Sequence, residues 1–469
     1  MAYCGYITTL KDVREHPNAD RLVLATCFGN TVCVAKDKYF EGQRGVYFPT
    51  DGQLSMEFCE QNGLLAKYEN GINVSGGYMD PEKRNVKAIK LRGEKSDGLF
   101  LPLECLAYTG ADVESLDDCF QITTLNGHEI CKKYIPKRKN RADSGQPVAK
   151  KKPKVNTAPM FFEHKDTEQL AYNLDQFKPG DLIEITRKLH GTSGRTTHSK
   201  ILDGYKRTFW DKICRREGEP VFDWGYATGT RRTVLDSYDG GFYGSNEFRE
   251  QYHKKFEGKL LKGETVYYEI VGFTTEGTPI MASCDNKKLK DKEFTKIYGD
   301  TTVFSYGCSP NGKKTVYGHD EEGHFALEQT IPQSDIYVYR MTMTNEDGDV
   351  IEYTPDFMRH RCEYIGVKCV PVEWYGFIPE HPASADDDTI TAGEWVLNKV
   401  EQFYDGPEPI DPTHIREGCV VRILNRPGFC AYKHKNFAFK VLEGIIKETS
   451  DAPDMEEADG LDDTNNEEA

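Results

Sequence analysis

The chain has 469 residues, 38% hydrophobic and 29% charged, with a formal net charge of −16. That length and balance suit two or three soluble globular domains with at least one large core. No run of about 18 apolar residues exists to form a spanning helix, and the N-terminal stretch MAYCGYITTL lacks the basic-then-apolar order of an export signal.

Fourteen cysteines are scattered without a CxxC pair. A structural zinc site is therefore not expected, and reduced thiols in a cytosolic or nuclear protein are.

Residues 1–130 read as short strands: LVLATCF (22–28), TVCVAKD (31–37), RGVYFPT (44–50), NVKAIKL (85–91) and GLFLPL (98–103), punctuated by Gly, Asp and Asn. Closure into a small barrel would remove their exposed edges. HPNADRL (16–22) and KLRGEKSDGLFLP (90–102) resemble the OB-fold tRNA-binding module attached to some synthetases.

Residues 131–160 form a basic linker. Between Lys132 and Lys154 there are ten Lys/Arg against one Asp, interleaved with Pro, Gly and Ser and without apolar periodicity. It can serve as a solvated tether, contact a phosphate backbone, or carry a nuclear-import signal in PVAKKKPKV. All three readings stay open.

From 161 to 448 the pattern is mixed. Strands are expected at ETVYYEIVGF (264–273), TTVFSYG (301–307), SDIYVYRMTMT (334–344) and GCVVRIL (418–424), and a helix at AGEWVLNKVEQFY (392–404). Strands dominate without βαβ alternation, which predicts an α+β, mainly antiparallel domain. Residues 449–469 make an acidic tail expected to be disordered: from Ser450 on it has nine acids and no bases. Charge is thus segregated along the chain, and the net value says little about nucleic-acid binding.

The candidate chemistry begins at RKLHGTSGR (187–195), where Lys188 directly follows a strand-like apolar run. Alone, it could be an ordinary turn. GTRRTVL (229–235) adds Arg231 and Arg232, and VYYEIVGF (266–273) puts Glu269 in a strand. Alternation sets Val266, Tyr268 and Ile270 on one face and Tyr267, Glu269 and Val271 on the other. In IYVYRMT (336–342), Ile336 and Val338 share a face, leaving Tyr337, Tyr339 and Met341 opposite. EGCVV (417–421) supplies Glu417. In AYKHKNFAFK (431–440), Lys433 and Lys435 point the same way about 7 Å apart. Two ammoniums on one face repel, an arrangement that suits an anion, with a solvated basic edge as the other reading.

Taken in order, KLHGTSGR, GTRRTVL, YYEIVGF, IYVYRMT, EGCVV and YKHKNFAF resemble motifs I, Ia, III, IIIa, IV and V of the covalent nucleotidyltransferases. The His and Thr-Ser after the lysine are similar to the RNA ligase 2-like branch. FFEHKDTEQL (161–170) resembles the bacterial nick-sealing RNA ligases that carry an N-terminal OB module.

The resemblance implies an ATP-dependent RNA ligase with an N-terminal OB-type barrel and a nucleotidyltransferase domain. Lys188 would attack the α-phosphorus of ATP to give lysyl-AMP, AMP would pass to an RNA 5′-phosphate, and a 3′-OH would then displace it. Such a lysine must be neutral, against a reference pKa of about 10.4; burial, Lys433, Lys435 and a divalent metal would favour that form.

By the same resemblance, Gly191 lets the backbone approach the nucleotide, and Arg195 joins the cofactor-binding set. Arg231, with Arg232 as runner-up, contacts ribose or nick. Glu269 accepts from the ribose and Tyr339 stacks on the base. Glu417 binds Mg²⁺ or Mn²⁺, and His190 assists transfer of AMP to RNA. Tyr47 or Phe48 would offer stacking platforms to RNA.

Arg187 stands where these ligases usually have Glu, and its donors suit guanine, so GTP is not excluded beside ATP. The expected partner is RNA with 5′-phosphate and 3′-OH ends, with no membrane. The protein is expected to be a monomer, cytoplasmic, or nuclear if eukaryotic. The alternatives are a GTP-using capping-type guanylyltransferase and a non-catalytic RNA-binding protein with a relic domain.

Overall fold

The structure is a computed structural model. It describes residues 3–135, 156–214, 218–239, 245–319, 322–323, 325–384 and 389–449. Most of the basic linker, including PVAKKKPKV, and the acidic tail from Ser450 lie outside the described residues.

In the N-terminal part, β1 (Gly5–Thr9), β2 (Lys11–Glu15), β3 (Leu22–Cys27), β4 (Asn30–Ala35), β5 (Arg44–Phe48), β6 (Leu99–Pro102) and β7 (Gln121–Ile122) follow the expected alternation. Among the described residues they do not close into one ladder. They hydrogen-bond as a four-stranded sheet, β6-β5-β1-β7, and a three-stranded sheet, β2-β3-β4. Two cores result, one around Ile7, Val46, Phe48 and Leu101 and one around Leu10, Val23, Val32 and Tyr47.

This arrangement corrects the expectation for Tyr47 and Phe48. Neighbours in a strand point to opposite faces, and both faces of β5 are covered. Each ring is 0% exposed, and the Tyr47 hydroxyl donates to the Asp97 carbonyl at 2.7 Å. Neither is a platform for RNA. Cys131–Lys133, at the start of the expected linker, is a strand paired with Gly52–Leu54.

The larger part is built on two sheets. Its elements are β8 (Glu168–Gln169), β9 (Leu182–Lys188), β10 (Thr192–Lys206), α1 (Phe209–Ile213), β11 (Glu219–Gly229), α2 (Glu247–Phe256), β12 (Glu264–Gly272), β13 (Ser334–Thr344), β14 (Val350–Glu352), α3 (Pro355–Ile365), β15 (Lys368–Cys369), β16 (Val372–Phe377), α4 (Ala392–Glu401), β17 (Gly418–Ile423), β18 (Cys430–Lys435) and α5 (Phe437–Thr449). One sheet runs β8-β18-β17-β9-β16. The other runs β11-β10-β12-β13-β14, with β15 added beside β13. All ladders are antiparallel except β8 on β18 and β15 on β13, so the mixed, mainly antiparallel expectation holds.

Helices cover the outer faces. A capping box between Thr391 and Glu394 starts α4, and its Ala392, Val396 and Val400, spaced by four, pack on Ile183, Ile185 and Val421. Full burial of each Val or Ile side chain here contributes about 1.5–3 kcal/mol. On the second sheet, Met358, Cys362 and Ile365 of α3 meet Val266, Tyr268 and Ile270. The expected strand at 301–307 shrinks to Thr301–Thr302, because Tyr306 sits at a φ of 40° that no strand accommodates.

A bulge in β13 alters one further expectation. Tyr267 pairs with Arg340 and Tyr268 with Val338, leaving Tyr339 as the extra residue. Side chains beyond it change face, so Met341 joins the Ile336 and Val338 core rather than Tyr337. The N-terminal part docks through Tyr172, whose ring lies 4.6 Å from Tyr6 and 5.2 Å from Phe28, and through Lys440–Asp97 at 2.6 Å.

Candidate active site

β9 belongs to one sheet and β10 to the other, and Leu189-His190-Gly191 joins them. A cavity lies between the sheets, lined from both. Strand register decides what faces it. Lys188 stands opposite Gly418, and Gly418 opposite Lys435; one row further in, Thr186, Val420 and Lys433 align likewise. The alternate residues Ile183, Ile185, Cys419, Val421 and Tyr432 form the core behind.

Glu417 lies at the head of this row. Its Oε1 is 2.7 Å from Lys188 Nζ and 3.4 Å from Lys435 Nζ, and the side chain is 1% exposed. Burial opposes the charge, but Lys188, Lys435 and His190 outweigh it and hold this carboxyl below its usual value. Lys435 also pairs with Glu443 of α5 at 2.8 Å. Gly418 makes the row possible: its φ is +144°, and a Cβ there would stand 2.1 Å from the His434 carbonyl oxygen.

Lys433 differs from its neighbour. Among the described residues no carboxylate pairs with it, and burial, then Lys435 and Lys188, push its pKa down to about 8. The site thus holds a cation lacking a counter-charge, an arrangement that favours an incoming anion. His190 is enclosed by Phe304 and Phe439, with ring centroids 4.7 and 4.8 Å away. Burial lowers its pKa to about 4, so the imidazole is neutral.

A hard cation fits one feature of this set. Glu417 Oε2 is buried without a hydrogen-bond partner, 3.9 Å from His190 Nδ1. No group of three or more His, Cys, Asp or Glu suited to a metal occurs among the described residues. Mg²⁺ or Mn²⁺ here would therefore rest on Glu417 with phosphate oxygens and water, the usual manner of Mg²⁺.

Opposite the lysines, β12 presents Glu269, paired in register with Ser193 and Tyr337. Tyr339 lines the cavity, its ring 5.0 Å from His164. Arg231 reaches the cavity and pairs with Asp166, whose carboxyl it holds down at about 2 against the effect of burial. Arg232 is exposed, and its carbonyl accepts from Arg195.

Three expected residues act elsewhere. Arg195 is not brought into the cavity. It is 2% exposed, its guanidinium donates to the carbonyls of Phe161, Thr230 and Arg232, and it stacks on Phe161 at 4.2 Å. It clamps the segment before β9 to the loop carrying Arg231. Arg187 donates to Glu373 at 2.7 Å and to Glu408 at 2.8 Å, the latter 0% exposed, so its donors are committed away from any base. At Gly191 the close approach is to β12, because a Cβ would stand 2.2 Å from the Ile270 carbonyl oxygen.

Other lining residues escaped sequence reasoning. The Phe429 ring lies 4.7 Å from the Arg340 guanidinium, 5.0 Å from that of Arg422 and 5.4 Å from the His164 ring. Asp51 and Lys133 come from the N-terminal part. FFEHKDTEQL contained the signal for His164 and Asp166, but nothing in the sequence pattern distinguished Phe429, Asp51 or Glu443.

No protein-family model matches the chain, and no curated protein matches it. Among solved structures, the fold is similar to that of Naegleria gruberi RNA ligase. A lysine-to-alanine variant of that protein with ATP and Mn aligns with a TM-score of 0.53 at 16% identity, covering 93% of this chain and 98% of that one. A lysine-to-methionine variant with AMP and Mn gives 0.52 at 15% identity over 93% and 97%. The same ligase with PPi gives 0.51 at 15% identity over 96% and 99%. This chain therefore has an RNA-ligase-like fold over nearly its whole length.

Proposed function

We propose that the protein is an ATP-dependent RNA ligase that joins 3′-OH and 5′-phosphate ends, at nicks in duplexes, through lysyl-AMP and RNA-adenylate. The observation that carries this reading is the register row Lys188–Gly418–Lys435, with the Glu417 carboxylate buried against both lysines.

In the first step the neutral Lys188 amine forms an N–P bond to the α-phosphorus of ATP, losing its proton as the bond to pyrophosphate breaks. An oxygen of the RNA 5′-phosphate then takes the adenylyl group, and the N–P bond returns its electrons to Lys188, which regains a proton. Finally the 3′-OH attacks the 5′-phosphorus, its proton leaves, and AMP departs. Each step builds negative charge on phosphate oxygens. Lys433, half-buried and without a paired carboxylate among the described residues, and Lys435 would stabilise it.

Mg²⁺ or Mn²⁺ held by Glu417 would add positive charge at the phosphates and draw the carboxylate away from Lys188. Tyr339 stacks on the base, Glu269 accepts from the ribose, and Arg231 contacts ribose or nick. His190 assists the transfer of AMP to RNA. Residues 1–130 act as the RNA-binding module and 161–448 as the adenylyltransferase, the protein working as a monomer. ATP is the donor: the only sequence argument for GTP was Arg187, and its guanidinium is bound by Glu373 and Glu408.

Incubation with α-³²P-labelled ATP and Mg²⁺ or Mn²⁺ should leave label on the denatured chain. The label should vanish in Lys188→Ala and chase onto a 5′-phosphorylated nicked RNA. A wild-type chain that takes no label from ATP would overturn the proposal.

A further inference from the structure

The helix that follows the lysine pair touches the cavity on one side and the N-terminal part on another. α5 starts at Phe437, directly after β18 delivers Lys433 and Lys435. Asn436, 1% exposed, caps it: its side-chain oxygen accepts from the Phe439 N–H at 3.2 Å. The Asn436 N–H in turn donates to the Glu417 carbonyl at 2.8 Å, so the helix begins bonded to the residue proposed to bind the metal.

Residues three and four apart share a helix face. Phe439 and Glu443 make one such row. The Phe439 ring lies 4.8 Å from that of His190, and Glu443 Oε2 stands 2.8 Å from Lys435 Nζ. Leu442, fully buried, joins the core that holds Leu189 beside the nucleophile. Phe437 and Lys440 make a second row, turned to the N-terminal part. Lys95 Nζ lies 5.5 Å from the Phe437 ring, and Lys440 Nζ is 2.6 Å from Asp97 Oδ2.

Lys435 sits between two carboxylates that are not equivalent. Glu417, at 3.4 Å, is shared with Lys188 at 2.7 Å, and a metal would rest on it. A divalent ion that draws Glu417 away leaves Glu443 holding Lys435. A lysine side chain is long and loses much rotamer freedom when it is held. Fixing its ammonium before the reaction favours the transition state, because nothing then has to reorganise as charge builds on phosphate.

The far link is as enclosed as the near one. Asp97 ends the strand Glu94–Asp97 within KLRGEKSDGLFLP, and its carbonyl accepts from the buried Tyr47 hydroxyl at 2.7 Å. Its side chain is 8% exposed and that of Lys440 14%, matching the 14% and 15% of Lys435 and Glu443. Lys440 and Glu443 are three residues apart on one helix, so a shift at the first moves the second.

We infer that Glu443 is a positioning residue for the nucleotide step, holding Lys435 while Glu417 is engaged elsewhere, and that the N-terminal part sets it through Asp97 and Lys440. The inference rests on the RNA-ligase reading for the step that Lys435 serves. The N-terminal part thereby acts on ATP chemistry before any RNA is bound.

The test is single-turnover lysyl-AMP formation over a range of ATP concentrations, without RNA. Glu443→Gln should lower the maximal rate by about tenfold or more. Half-saturating ATP should stay the same or fall, because the change removes a negative charge beside the triphosphate. A merely structural loss would raise it instead. Asp97→Asn and Lys440→Met should each lower the maximal rate by about threefold, and together by no more than either alone. Label should still reach the wild-type extent in every variant, which shows that each folds.

A wild-type maximal rate in Glu443→Gln would overturn the inference, as would a loss carried wholly by weaker ATP binding. Wild-type rates in both Asp97→Asn and Lys440→Met would overturn the part given to the N-terminal part. Failure of the ligase reading is separable. Acetic anhydride takes only a neutral amine, so without nucleotide Lys435 should be acetylated faster in Glu443→Gln than in the wild type, as read by mass spectrometry. No lysyl-AMP from the wild type, with that difference intact, sinks the ligase reading and leaves the hold of Glu443 on Lys435 standing. Equal acetylation of Lys435 in the two proteins overturns the inference itself.

Discussion

Lys188 Nζ and Glu417 Oε1 lie 2.7 Å apart, with the carboxylate 1% exposed. The residue proposed as nucleophile is thus held by the residue proposed to bind the metal. Lys188 attacks only as a neutral amine, so whatever competes for Glu417 also governs the nucleophile. Four predictions follow the electrostatics of this neighbourhood.

Replacing Glu417 by Gln removes the counter-charge shared by Lys188 and Lys435. Lysyl-AMP formation is expected to fall by about 100-fold or more, on the scale of losing one preorganised electrostatic group. Stability should fall by about 1–3 kcal/mol, less than for a fully buried pair because Lys188 is partly exposed and Lys435 keeps Glu443. Single-turnover labelling and urea unfolding measure the two effects separately. Wild-type labelling by Glu417→Gln would remove this residue from the chemistry.

Lys433 should make nucleotide binding depend on pH. Its folded pKa is about 8, lowered from 10.5 by burial and then by Lys435 and Lys188. Between those values the unfolded chain binds more protons than the folded one, so this group adds stability as pH rises through the window. A bound triphosphate reverses the balance by favouring the cation. Calorimetry in buffers of different ionisation enthalpy should show proton uptake on ATP binding near pH 8 and weaker binding above it. Lys433→Arg should abolish the uptake.

His190 is neutral down to about pH 4, against an ordinary value of 6.5, mainly through burial. As pH falls from 6.5 to 4 the unfolded chain gains a proton that the folded one refuses, and up to about 3 kcal/mol of stability is lost. His190→Phe, which keeps the apolar contacts to Phe304 and Phe439, should flatten that part of the stability profile. The same variant should form lysyl-AMP yet pass AMP to RNA about 100-fold more slowly. A loss confined to lysyl-AMP formation would assign His190 to the other step.

Arg187→Met leaves the fully buried Glu408 without its paired guanidinium, while Glu373 keeps Arg416 at 3.8 Å. Breaking such a pair costs about 3–5 kcal/mol. Thermal or urea unfolding should register that loss, while the ratio of ATP to GTP labelling stays as in the wild type. A shift in that ratio would restore Arg187 as a base-reading residue.

Strand periodicity made much of this legible. Lys433 and Lys435 share a face, as do Val266, Tyr268 and Ile270, because a period of two is a local property that register preserves. It failed at Met341, where one extra residue at Tyr339 turned the rest of the strand over. Alternation also says nothing of what covers each face. Tyr47 and Phe48 looked like platforms until both faces of β5 proved to be core.

Charged residues show the same division. From the sequence alone came the residue types, their order and the strands that carry them: Lys188, Glu269, Glu417 and the lysine pair all reach one cavity. Tertiary structure alone decided their partners. It gave Glu417 to Lys188 and Lys435, set Arg195 on three carbonyls, buried Arg187 between two glutamates, and brought Glu443, Asp51 and Lys133 to the rim. Backbone preference acts between neighbours in the chain, whereas electrostatic pairing and burial act across space, between residues as distant as Lys188 and Glu417.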